Sequence, residues 1–226
     1  MTERNFSRRS FLSQSLVAVP AAGGLLLFCR SAVACGPAAA AGAPKSSAQA
    51  CADATATEAN IEGPYYRGGA PFRADLREPG IAGAPLAISG SVLSLDCRSP
   101  LESAVLDVWQ ADGDCHYDND GSLRLAKDAM RLRGKVRADA RGAFAFDSVL
   151  PGRYLNGRTY RPAHIHVKVS APGHASLTTQ LYFPDDPFNA TDPFIRRSLI
   201  MDVAKKSGNA VGHFDFVLTP LPRART

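Results

Sequence analysis

Beyond the first 34 residues the chain has no long apolar run, so no segment of its main body reaches the roughly 20 residues a transmembrane helix needs. Basic runs interleaved with aromatics are also missing, which removes the usual footprint of a nucleic-acid-binding protein. None of the five cysteines has the paired spacing of a structural zinc site, and no internal repeat recurs along the 226 residues. From Cys35 to about Asn60 large apolar side chains are almost absent. That Ala-rich stretch, with Gly, Pro, Ser and Thr, cannot build a core and reads as a flexible tether over 35–60.

The chain opens with a leader. Ser7-Arg8-Arg9-Ser10-Phe11-Leu12 precedes an apolar stretch from Leu16 to Phe28, and Ala32-Val33-Ala34 closes it ahead of Cys35. A basic head, a short apolar core and an Ala-x-Ala end describe a signal peptide over 1–34, and the paired arginines indicate twin-arginine export of an already folded protein. A periplasmic or extracellular location follows as an expectation. Lipoprotein anchoring through Cys35 is the lesser reading, because Ala32 stands where lipidation sites carry Leu. Removing the leader takes away Arg4, Arg8, Arg9, Arg30 and Glu3, so the formal net charge of +5 drops by three. An oxidising compartment permits disulfides. A Cys97–Cys115 bridge is disfavoured by distance, whereas a bridge from Cys51 to either would clamp the N-terminal arm; both pairings and free thiols stay open.

From Ile61 to Thr226 the pattern changes. Seven short segments of β-branched, aromatic and alternating residues are separated by Gly, Pro, Asp and Asn: Leu86–Leu95, Ala104–Trp109, Leu132–Ala138, Ala143–Phe146, His164–Val169, Leu177–Phe183 and Phe214–Leu218. They predict an all-β domain, a two-sheet β-sandwich with long loops. Apolar residues at Phe194, Leu199 and Val203 suggest one short helix within Asp192–Lys206. Asp139-Ala140-Arg141-Gly142 reads as a turn with Gly142 at positive φ.

Chemistry concentrates in Arg161-Pro162-Ala163-His164-Ile165-His166. On a strand His164 and His166 project to one face and Ile165 to the other, which makes half a metal site. Tyr117 and Tyr154, in turn-like settings, could supply phenolate oxygen, a hard anionic donor that favours Fe(III) over Zn(II) or Cu(I). Each feature alone has a plainer reading: an exposed His-x-His face, tyrosines capping a sheet edge, Arg161 in a surface ion pair with Asp185 or Asp186, and Gln180 as a polar residue on a sheet face. His116, His174 and His213 lack any such context and read as structural or solvated.

Taken in order, the residues resemble the non-haem iron(III) intradiol ring-cleavage dioxygenases. The resemblance is carried by Val108-Trp109-Gln110 leading to Tyr117, by Pro151-Gly152-Arg153-Tyr154, by Arg161 through His166, by Leu177 through Phe183 with Gln180, and by Glu62-Gly63-Pro64-Tyr65-Tyr66. It covers roughly Ile61 to Pro220. The resemblance implies Fe(III) held by Tyr117, Tyr154, His164 and His166, with Tyr154 also serving as a base. It implies Arg161 stabilising negative charge in the reaction, Gln180 hydrogen-bonding a ligand or intermediate, and Pro64, Tyr65 and Arg161 beside the substrate. The activity implied is O2-dependent cleavage of a catechol-type diol to a cis,cis-muconate-type diacid. The chain has no room for the helical dimerisation region of the longer catechol dioxygenases, which groups it with short secreted members and leaves the oligomeric state open. The rival reading is a secreted β-sandwich that binds a metal or an aromatic without turnover. A zinc hydrolase is weaker, since phenolate pairs are poor zinc ligands and no carboxylate sits in the motif as a base.

Overall fold

The computed structural model describes residues 55–96, 99–206 and 209–222. The leader, most of the tether and Cys29, Cys35, Cys51 and Cys97 lie outside the described residues. Eleven strands are described: β1 (Pro85–Ser94), β2 (Val105–Trp109), β3 (Arg133–Arg137), β4 (Ala143–Val149), β5 (Tyr154–Asn156), β6 (Thr159–Arg161), β7 (His164–Ser170), β8 (Leu177–Tyr182), β9 (Asp202–Lys206), β10 (Asn209–His213) and β11 (Phe216–Leu218). One sheet is antiparallel in the order β3-β2-β7-β8. The second is built on the long β1, which pairs with β4 along one edge and with β10 and then β11, both parallel, along the other. β5 and β6 form a separate two-stranded ribbon.

Period-two burial decides which face of each strand meets the other sheet. Leu86, Ile88 and Val92 of β1, Leu106 and Val108 of β2, and Ile165, Val167 and Val169 of β7 enter one core with Phe144, Phe146 and Phe216. Burying each such aliphatic chain contributes about 1.5–3 kcal/mol, so a one-residue slip that exposed a strand's set is strongly disfavoured. The same alternation turns His164, His166 and Lys168 to the outer face of their sheet. Gly142 sits at φ 71°, and a Cβ there would meet the Val92 carbonyl at 2.6 Å, as its turn assignment requires.

Two sequence expectations change. The helix within Asp192–Lys206 does not form: a 3-10 turn at Arg197–Leu199 leads into β9, which pairs antiparallel with β10. Leu199 and Met201 are buried and Val203 packs on the core, which is strand periodicity. Thr57 and Asn60, placed with the tether, are bonded to the domain: Thr57 N–H donates to the Val217 carbonyl at 3.0 Å and Asn60 N–H to Thr178 at 2.9 Å. Among the described residues no helix is long and apolar enough to cross a membrane.

Candidate active site

The outer face of the antiparallel sheet assembles the site by register. Arg133, Trp109, His166 and Gln180 lie side by side across β3, β2, β7 and β8, and His164 faces Tyr182 one row away. Because the histidines are two apart on one strand, their rings stand 4.9 Å centroid to centroid. Trp109 stacks on His166 at 4.9 Å and 11°, and Tyr66 tilts against Trp109 at 4.8 Å.

The two tyrosines arrive from loops. Tyr117 follows a turn tied by Asp112, whose Oδ1 accepts from the backbone of Asp114 and His116, and its own N–H donates to Asp120. Tyr154 opens β5 and faces Arg161 of β6 in register. Tyr117 lies 6.1 Å from Tyr154 and 6.3 Å from His166, and Tyr154 lies 5.5 Å from His164, ring centre to ring centre, so the four rings close a circuit. Tyr117, His164 and His166 are buried and Tyr154 is half-buried.

Three donor atoms in this circuit have no partner: Tyr117 Oη, His164 Nε2 and His166 Nδ1. Buried polar atoms are rarely left so, and three at one spot mark a place built for something else to bind. His164 Nδ1 lies 2.7 Å from the Pro162 carbonyl, which holds the proton on that nitrogen and leaves Nε2 as a lone pair. Burial brings His164 down to about 3 and His166 well below the usual imidazole value, so both rings are neutral. Burial, then the nearness of Tyr154, pushes Tyr117 well above an ordinary phenol. Burial also raises Tyr154, with Arg161 as the strongest opposing influence. Among the described residues no cluster of three or more His, Cys, Asp or Glu is arranged for a metal, so a donor set that included these histidines would need the tyrosines.

Of the other predicted residues, Tyr65 stacks on Tyr117 at 4.3 Å and 20°, and Pro64 is exposed beside it. Gly63, at φ 73°, packs against His166, where a Cβ would come 3.2 Å from Cε1. Arg161 is buried rather than paired at the surface with Asp185 or Asp186. It donates to Gln180 Oε1 at 2.8 Å, to Tyr182 Oη at 3.3 Å and to Asp192 Oδ2 at 3.0 Å. Gln180 Nε2 donates to the Ile61 carbonyl at 2.8 Å, and its Oε1 also accepts from Tyr182. Its oxygen therefore holds Arg161 and Tyr182, while one of the two Nε2 hydrogens makes no hydrogen bond among the described residues. A small cavity of about 190 Å³ opens beside Arg161, Asp192 and Phe194. A larger hollow of about 720 Å³ lies behind Arg153 and Ala163 and is lined by none of the four rings. The chemistry, not the volume, locates the site.

Sequence reasoning missed the charges that brace it. Arg133 and Asp118 form a fully buried pair, and Arg133 also donates to the Tyr65 carbonyl at 2.7 Å, tying the segment that carries Tyr65 to the one after Tyr117. Arg133, in register with Lys135 and Arg137 on a strand of alternating charge, and an Asp directly after Tyr117, were the available signals. Asp186 and Asp192 were missed as anchors for the same reason: their partners are far away in sequence. His116, His174 and His213 stand apart from the four rings: His116 and His213 have only local acidic neighbours, Asp120 and Asp215, while His174 is partly buried and its Nε2 lies 2.9 Å from Ser94 Oγ. Cys115 is unpaired and its thiol donates to the Arg153 carbonyl at 2.9 Å.

A two-sheet β-sandwich that gathers two tyrosines and two neutral histidines on the outer face of one sheet defines a class of protein with its candidate site on that face. The comparisons narrow it. A family model described as Dioxygenase matches residues 61–220, and the chain belongs to this family, the intradiol ring-cleavage dioxygenases. Catechol 1,2-dioxygenase 2 of Acinetobacter lwoffii is 36% identical over 149 residues, which are 58% of this chain and 53% of that protein. 6-Chlorohydroxyquinol 1,2-dioxygenase of Cupriavidus pinatubonensis is 33% identical over 184 residues, 73% of this chain and 65% of that protein. The chain thus spans between half and two thirds of the length of these relatives. Among solved structures, the dioxygenase domain of a dioxygenase carbohydrate-binding protein fusion from Streptomyces sp. SirexAA-E superposes with a TM-score of 0.64 at 38% identity, covering 74% of this chain and all of that one. The 3-chlorocatechol 1,2-dioxygenase of Rhodococcus opacus gives 0.66 at 26% identity, covering 73% of each chain.

Proposed function

We propose that the protein cleaves a catechol-type aromatic diol between its two hydroxyl-bearing carbons, placing both atoms of O2 in a cis,cis-muconate-type diacid at a non-haem Fe(III) site. The observation that carries this reading is the closed circuit of Tyr117, Tyr154, His164 and His166 with three unpartnered donor atoms. Two neutral imidazoles and two phenols fit a hard, highly charged cation, since phenolate oxygen suits ferric iron better than softer ions. Bound there, Fe(III) would supply Lewis acidity that lowers the pKa of the phenols and of the diol together.

The chain's own residues do the rest. Tyr154 is the less buried tyrosine and sits beside Arg161, so its Oη is the one best placed to accept a proton from an incoming diol. Arg161 is held by Gln180, Tyr182 and Asp192, while its buried Nε has no partner and is free to hold negative charge that develops on the substrate. Tyr65, stacked on Tyr117, gives an aromatic wall for a flat ring. Trp109 and Ala111 beneath keep water from the donors. We further propose twin-arginine export with loss of residues 1–34, supported by the leader's sequence alone.

The test is oxygen uptake by iron-loaded protein given catechol, protocatechuate or hydroxyquinol. One O2 consumed per diol, with a ring-opened diacid formed, is expected. Chelation of the diols with no oxygen uptake would instead identify a binding module.

A further inference from the structure

We propose that Asp186 is a positioning residue for the candidate ligands Tyr154 and His164, an inference that rests on the function proposed above. Tyr154 opens a strand of three residues, and among the described residues the one strand that pairs with it is equally short. An isolated two-stranded ribbon of this length is marginal in water and cannot by itself hold a side chain in register with a neighbouring sheet. It needs an outside anchor.

Asp186 supplies one. Its carboxylate is 2% exposed. Oδ2 accepts from Arg153 Nε at 2.8 Å and from the Ala163 backbone N–H at 3.1 Å, while Oδ1 accepts from the Phe188 N–H at 3.0 Å. Arg153 immediately precedes Tyr154, and Ala163 immediately precedes His164. One oxygen therefore joins the two segments from which those rings project, where the rings stand 5.5 Å apart. Capping the 3-10 turn at Pro187–Ala190 uses only Oδ1, so it does not account for the two donors on Oδ2. The Arg153 carbonyl is held as well, by the Cys115 thiol, so Arg153 is fixed through both backbone and side chain. Behind it the hollow of about 720 Å³ is bordered by Arg153, Ala163 and Asp186 themselves. A charged acceptor aligned on two N–H donors orients them more firmly than a neutral one, and outer partners of metal ligands generally tune both affinity and activity.

The experiment compares wild type with Asp186→Ala, Asp186→Asn and Arg153→Ala. The readouts are the visible tyrosinate charge-transfer band of the iron-loaded protein, iron retained against a chelator, kcat, KM and Tm. Asp186→Ala is expected to shift the band and lower iron retention and kcat by about 10–100-fold, with KM much less affected. Arg153→Ala should reproduce part of the loss and add little on top of Asp186→Ala. A lower Tm with the band, iron retention and kcat unchanged would make Asp186 a turn cap only and overturn the proposal. Should Asp186→Ala not fold, Asp186→Asn keeps the cap; an unshifted band with full kcat in it overturns the proposal equally. If wild type itself develops no band, the proposed function fails, and amide hydrogen exchange across residues 153–164 of metal-free Asp186→Asn decides the positioning claim: faster than wild type supports it, unchanged contradicts it.

Discussion

Replacing Asp192 by Ala removes the counter-charge of the guanidinium beside the candidate ligands. The two side chains are 0% and 4% exposed, with Arg161 Nη2 3.0 Å from Asp192 Oδ2. Without the carboxylate, Arg161 keeps only neutral acceptors, Gln180 Oε1 at 2.8 Å and Tyr182 Oη at 3.3 Å, and the face of Phe194 at 4.8 Å. Stranding one member of a buried pair costs about 3–5 kcal/mol, far more than the pair's net worth against an apolar replacement. The Phe194 N–H, which donates to Asp192 Oδ1 at 3.2 Å, loses its partner too. For a domain of this size each kcal/mol moves Tm by about 2–4 °C, so a fall of about 6–20 °C is expected. Urea unfolding of the metal-free protein should show a lower midpoint with an unchanged slope. The double variant Arg161→Met/Asp192→Leu should recover more than half of the loss, because it leaves no charge stranded. A loss below about 1 kcal/mol for Asp192→Ala would place the pair with weak surface pairs and refute the reasoning.

Three further outcomes follow from the site. In the metal-free protein, burial holds His164 at about 3 against 6.5 in a free chain, so the unfolded state binds the proton first on acidification. Stability is therefore complete above about pH 6.5 and falls as pH drops from there toward 3, by up to about 1.4 kcal/mol per unit from this group, with His166 adding in the same direction. Urea midpoints that stay flat between about pH 7 and pH 5 would contradict this. Gly63→Ala forces a side chain to φ 73° and a Cβ to within 3.2 Å of His166, so a loss of about 1–2 kcal/mol with weaker iron retention is expected from unfolding and chelator assays; no change in either would contradict the packing argument. Tyr154→Phe should fold normally, retain iron less well and lose most turnover, and full iron with unchanged turnover would remove Tyr154 from its role.

The parts legible in the sequence were those governed by period-two patterning. Ile165, Val167 and Val169 alternate with His164, His166 and Lys168, so the core face and the site face of β7 could be assigned without coordinates. β5 and β6 were overlooked because three-residue strands carry almost no periodicity, although Asn156-Gly157, with Gly157 at φ 63°, is a hairpin turn signal between them. β9 was read as helix from Phe194, Leu199 and Val203, when the closer spacing of Leu199, Met201 and Val203 already alternated by two. The four candidate ligands could be singled out because their motifs are local. Their supports could not, because Arg161–Asp192, Arg133–Asp118 and Arg153–Asp186 join residues 31, 15 and 33 positions apart, and nothing in composition pairs one arginine with one aspartate. Gln180 shows the same limit: its position on the site face was readable, its hydrogen bonds with Arg161, Tyr182 and Ile61 were not.

The most direct test of the central claim is the visible absorption spectrum of the iron-loaded protein, recorded before and after catechol is added without oxygen. The account predicts a broad tyrosinate-to-iron charge-transfer band that moves to longer wavelength with catechol, and whose intensity falls in Tyr154→Phe. A protein that stays colourless after iron reconstitution would contradict the Tyr117, Tyr154, His164 and His166 site and the dioxygenase function built on it.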